Sequence, residues 1–137
     1  MLKTTASSDV NDPLLDSKID LITEGLDPQY ANRLMGLSST DDIRTIVDFI
    51  LSMKTETNLS DSHKISYINC LCSLSKFHGK IKTLREMSRD DVLHFLDSFR
   101  KSENADSLHK WIGTYNLYRA LLIYFFKWAI FLCFRAC

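Results

Sequence analysis

From residue 39 onward, apolar positions recur every three to four residues in four separate runs, each opened or closed by residues that cap helices. The first run follows Ser39-Thr40 and places Ile43, Ile46, Val47, Ile50 and Leu51 on one face of a helix that fades near Lys54. Ser39 and Asp42 stand at capping-box spacing, with Asp in place of the usual Glu. The second run starts at Ser60 and ends near His78, with Gly79 closing it. Its apolar side is Tyr67, Ile68, Cys70, Leu71, Leu74 and Phe77. In the third, Ser88 is the cap, Asp90 and Asp91 match the positive end of the helix dipole, and Arg100 and Lys101 match its negative end. Val92, Leu93, Leu96 and Phe99 face inward there. The fourth is capped by Thr114 and carries a seam of Leu117, Leu121, Phe125 and Trp128. The pattern predicts an all-α protein built as a small four-helix bundle over residues 39–130.

Residues 1–38 read differently. They are polar and acidic, with a turn at Asn11-Asp12-Pro13 and two short helical pieces. Leu14, Leu15, Ile19, Leu21 and Ile22 line the first piece; Asp27-Pro28 starts the second, and Gly36 is expected to end it in a left-handed C-cap. The expectation is an N-terminal arm over residues 1–38, of which residues 1–27 pack weakly. Residues 131–137 read as an apolar tail. The apolar stretch from Ala120 to Phe134 is 15 residues with Lys127 as its one charge, short of the roughly 20 that span a bilayer, so a membrane partner is not expected.

Formal net charge is zero, but it is unevenly spread. Residues 1–62 hold 5 Lys+Arg against 11 Asp+Glu, and residues 63–137 hold 12 against 6. An acidic start and a basic remainder point to a body that faces a polyanion. Cys70, Cys72, Cys133 and Cys137 form no C-x-x-C pair, and His63, His78, His94 and His109 give no zinc spacing. No metal or cofactor is expected. With no disulfide framework, and no basic-then-apolar leader at the N-terminus, a cytoplasmic location is expected. Neither a Gly-rich phosphate loop nor a G-x-S-x-G elbow occurs, and no small-molecule substrate is implied.

The candidate chemistry is on two helix faces. Ser66, Asn69, Ser73, Lys76 and Lys80 fall at offsets of 0, 3, 7, 10 and 14 along the second helix. Small polar donors let a phosphate backbone approach, and the lysines neutralise it. The loop that follows adds Lys82 and Arg85. On the fourth helix Asn116, Arg119 and Lys127 lie away from the apolar seam, an amide-and-cation face suited to duplex DNA. A solvated charged surface, or Arg119 paired with Asp97 or Asp106, accounts for the same residues without DNA. A reading of another class is a helical protein–protein or membrane-surface module that uses the apolar C-terminal segment.

Three stretches carry a family resemblance. They are Ser60 with Tyr67, Leu71, Leu74 and Phe77; the run Leu84-Arg85-Glu86-Met87-Ser88-Arg89-Asp90-Asp91-Val92 with Phe95-Leu96; and Thr114-x-Asn116 ending in Phe125-Phe126-Lys127-Trp128. In order and spacing they resemble the N-terminal core-binding (SAM-like) domain of the tyrosine recombinases, the phage-integrase family, and its archaeal integrase-like members most. The resemblance covers residues 40–128. It implies a helical module for DNA integration and recombination whose second and fourth helices contact duplex DNA. Contacts are then expected from Lys64, Asn69, Ser73, Lys76, Lys80 and Lys82, and from Lys110, Thr114, Asn116 and Arg119. Other recombinase subunits on DNA are implied partners. The family continues into a catalytic domain, and the chain given stops nine residues after Trp128. It therefore reads as truncated before that domain and as no enzyme by itself. Tyr115, Tyr118 and Tyr124 lie outside any nucleophile context.

Overall fold

The computed structural model describes residues 13–57, 59–78, 82–100 and 111–136, without the side chains of 56–57 and 131–136. Among the described residues the chain is all-α. The helices are α1 (Pro13–Ile22), α2 (Pro28–Met35), α3 (Thr40–Thr57), α4 (Asp61–His78), α5 (Arg89–Asp97) and α6 (Trp111–Ala136), with one 3-10 turn at Leu84–Glu86. The chain divides into two compact units, residues 1–84 and 85–137. The division falls after Leu84, rather than between an arm ending at residue 38 and a body from 39 to 130.

In the first unit α4 is the central helix. It buries Tyr67, Ile68, Cys70, Leu71, Cys72, Leu74 and Ser75, on more than one face. A helix with small side chains on its polar flank is able to take neighbours on several sides, and α4 packs against both α2 and α3. From α3 come Ile43, Ile46, Val47, Phe49, Ile50 and Met53, all buried. Phe49 meets Tyr67 edge to face, with ring centroids 4.9 Å apart. Phe77, expected inside, is exposed near the end of α4.

Residues 13–27 belong to the segment expected to pack weakly, and their helix packs onto the rest of the unit. Leu15, Ile19 and Ile22 share one side of α1 and are buried, and α1 packs against α3 and α2. Each such side chain contributes about 1.5–3 kcal/mol on leaving water. Leu14 and Leu21 face outward. The helix ends through Thr23, whose hydroxyl donates to the Ile19 carbonyl at 2.7 Å. The left-handed residue that follows is Gly25, at φ 83°. Gly36, given that role from sequence, is right-handed at φ −82° and closes α2 by donating to the Asn32 carbonyl at 3.0 Å. Asp27 does start α2, its carboxylate accepting from the Gln29 N–H at 2.9 Å, with Pro28 in the first turn.

One buried carboxylate ties three parts of this unit together. The backbone N–H of Asp42 donates to Ser39 Oγ at 3.2 Å, the cap its spacing suggests. Its carboxylate turns away from the cap. Oδ2 accepts from Ser75 Oγ on α4 at 2.6 Å, and Oδ1 accepts from the Leu84 N–H at 2.8 Å. Asp42 is fully buried, and its two hydrogen bonds offset the cost of taking a carboxylate out of water.

In the second unit Ser88 and Asp91 close a full capping box at the start of α5. Phe95 and Leu96 are the buried residues of that helix. Tyr118 of α6 stacks on Phe95 at 6.4 Å and meets Phe99 edge to face at 5.3 Å. Below this aromatic set, Leu121, Leu122 and Phe125 are buried. Helix α5 ends at Asp97, so Arg100 lies beyond the last turn; its guanidinium sits 5.8 Å over the Trp111 ring instead of matching a helix dipole. Lys101 lies outside the described residues.

Helix α6 differs from its expected form at both ends. It includes Trp111, so Thr114 is inside its first turn and is no N-cap. Its backbone continues through the expected tail to Ala136. The buried seam has shifted round the helix: Leu121 and Phe125 are inside as expected, whereas Leu117 is 44% exposed and Trp128 half-buried. Successive residues turn by about 100°, and Tyr118, next to Leu117, takes the inward position. No helix among the described residues is long and apolar enough to cross a membrane.

Candidate nucleic-acid interface

Of the DNA-contact residues expected on α4, three are engaged within the first unit. Arg33 on α2 reaches across and donates from Nη1 to Asn69 Oδ1 at 2.8 Å and from Nη2 to Ser73 Oγ at 3.2 Å. Both acceptors are half-buried. The acid-free polar stripe thus has an internal partner, a guanidinium of the chain itself. Lys64 is buried too, its Nζ 3.1 Å from the Asp61 carboxylate one turn earlier. The Asn69 and Ser73 bonds link α4 to α2, and the Lys64 pair lies within α4 itself. Lys76 is exposed at the C-terminal end of α4. Lys82 is half-buried, and its backbone N–H donates to the His78 carbonyl at 3.2 Å. Lys80 lies outside the described residues.

On the second unit Thr114, Asn116 and Arg119 are all exposed on α6. Asn116 and Arg119 are three residues apart and share a strip with Lys127, which is also exposed. Arg119 forms no ion pair with Asp97 or any other described carboxylate. Across its 26 residues α6 has no Asp or Glu. Lys110 lies outside the described residues.

The division at Leu84 also redistributes the charge. Residues 1–84 hold 9 Lys+Arg against 11 Asp+Glu, and residues 85–137 hold 8 against 6. The contrast seen at residue 62 is therefore softened once the units are counted. The cationic character concentrates on α6 and on the end of α4 rather than on one whole half of the chain.

Cys70 and Cys72 are buried free thiols. Burial pushes the Cys70 thiol far up, and the neighbouring Cys72 raises it further. Burial pushes Cys72 up to about 11, with Arg33 and Lys76 pulling the other way. Both stay neutral thiols near pH 8, and the thiolate is the reactive form. Iodoacetamide at pH 8 should leave both unmodified in the folded protein and label both in denaturant, as read by peptide mass mapping. Rapid labelling of Cys72 in the native protein would contradict this placement. Because the unfolded thiols ionise near 9.0, their contribution to stability is intact below about pH 9 and declines as pH rises toward 11.

Three or more His, Cys, Asp or Glu residues that could hold a metal do not come together among the described residues. Comparison with protein-family models, with curated proteins and with solved structures finds no match for this chain.

Proposed function

We propose that the chain is a non-catalytic duplex-DNA-binding module of the tyrosine-recombinase core-binding type, serving DNA integration and recombination, with α6 as its principal contact. The observation that carries this reading is the exposed strip Asn116, Arg119 and Lys127 on a helix that has no acidic residue. An acid-free cationic strip meets phosphates without repulsion, and an amide with a guanidinium one turn away is suited to reading base edges. The ordered motifs between Ser60 and Trp128 support it from the sequence side. The contact set is smaller than the resemblance alone implies. Lys76 neutralises phosphate, Asn116 and Arg119 contact base edges, and Asn69 and Ser73 stay with Arg33. Other recombinase subunits on the same DNA remain the expected protein partners.

A salt titration of duplex binding by fluorescence anisotropy tests the reading. Affinity should be modest and fall linearly in log–log form with salt. Lys76→Ala should reduce the slope by about one and weaken all duplexes alike. Arg119→Ala should cut the preference for a selected duplex over a random one by roughly 10-fold or more, as expected for loss of a guanine contact. Each side chain is exposed, so the variants should melt like wild type. Absence of duplex binding at about 50 mM salt, where phosphate contacts are strong, would end the proposal.

A further inference from the structure

A groove of about 390 Å³ lies within the second unit, between α5 and α6. Its walls are apolar: Val92, Leu93 and Leu96 from one helix, Ile123, Phe126 and Ile130 from the other. Ile130 is 58% exposed and Ile123 43%, so the aliphatic surface is open to water. Among the described residues Arg89 and Arg119 also line it, and no Asp or Glu does. Neither arginine forms an ion pair with a described carboxylate. Asp90 and Asp91 are close in sequence, but Asp91 is turned to the Ser88 N–H at 2.9 Å and neither residue lines the groove.

We infer that this groove docks an acidic amphipathic helix of a protein partner. Exposed Ile side chains over an apolar floor fit leucine-type anchors at three- and four-residue spacing, the helix-in-groove mode. The two unpaired arginines select carboxylates beside those anchors and reject lysines, and such charge matching gives specificity and faster encounter. A basic helix, or DNA, matches the guanidiniums or the apolar walls poorly in one respect each: the first repels the arginines, the second leaves the isoleucines wet. The inference does not rest on the DNA reading; Arg119 is common to both surfaces, so peptide and duplex compete for it.

The test uses the full chain and a synthetic helical peptide of about four turns, with Leu at i, i+3, i+4 and i+7 and Glu on both flanks. Two control peptides replace all Glu by Lys, or all Leu by Ser. Amide chemical-shift mapping and anisotropy read the outcome. The Leu–Glu peptide should bind and shift residues of α5 and α6, and both controls should bind at least tenfold more weakly. Arg89→Ala and Ile130→Ser, both at exposed positions, should each weaken binding severalfold while the thermal melt is unchanged. Equal binding of the Glu and Lys peptides, shifts confined to other helices, or no effect of either variant would overturn the inference. So would concentration-dependent dimerisation lost in Ile130→Ser with no peptide binding, which assigns the groove to a second copy of the chain.

Discussion

Replacing Asp42 with alanine is expected to destabilise the first unit by about 3 kcal/mol, because it strands two buried donors at once. The Ser75 hydroxyl and the Leu84 N–H both point at this carboxylate, and Asp42 is fully buried, so water does not replace it. For a unit of this size the midpoint of thermal unfolding should fall by roughly 15 °C. Ser75→Ala removes one donor together with its need for a partner and should cost about 1 kcal/mol. The pair then couples: the double variant should be less damaged than the two single losses added. Asp42→Asn keeps an acceptor for Leu84, and the Ser75 hydroxyl is able to rotate and accept from the new amide, so its loss should lie between the two. Urea unfolding monitored by circular dichroism gives all four values. An alanine variant within about 0.5 kcal/mol of wild type, the range of ordinary surface changes, would show that the carboxylate does not hold α3 to α4 and Leu84.

Asp42 also marks a limit of sequence reading. Its place three residues after Ser39 signalled a helix start, and the start is there: the N–H bonds to Ser39. The carboxylate's burial depends on Ser75 and Leu84, 33 and 42 residues away, and local spacing has no access to that. The polar stripe of α4 behaves alike. Its lack of acids rightly signals that something positive sits against Asn69 and Ser73. A phosphate-lined lysine face and an intramolecular guanidinium give the same pattern, and Arg33, 36 residues before Asn69, supplies the charge. What was legible is what depends on period and caps: the helices α3 to α6, the Ser88 capping box, and the inward positions Ile46, Ile50, Leu71, Leu121 and Phe125. Leu117 was misplaced because a step of three or four back from Leu121 admits either Tyr118 or Leu117, and Tyr118 takes the inward place against Phe95 and Phe99.

Ile19→Ala and Ile22→Ala should each cost about 3 kcal/mol, and together they should detach α1 from the first unit. Both side chains are buried to within 2% of full coverage, and Ile-to-Ala changes at such sites cost roughly 2–5 kcal/mol through lost transfer energy and the cavity left behind. The polar link of the same helix is far weaker. Lys18 Nζ stands 3.3 Å from Asp48 Oδ1, with both side chains more than a third exposed, and exposed pairs of this kind contribute about 0–1 kcal/mol. Apolar burial therefore decides whether this acidic segment is an arm or a structural helix. The acidic residues that made it look like an arm, Asp16, Asp20 and Glu24, are exposed on the outward side. They describe only the face that water sees. Hydrogen exchange separates the two pictures. Amides in the second half of α1, from Ile19 to Thr23, should be protected to nearly the same degree as those of α3 in wild type, and should lose that protection first in the double variant while the Tyr67–Leu74 segment keeps its own. Exchange of the α1 amides at rates near those of an unstructured chain in the wild-type protein would return this segment to the status of an arm and leave α3 and α4 to hold the unit by themselves.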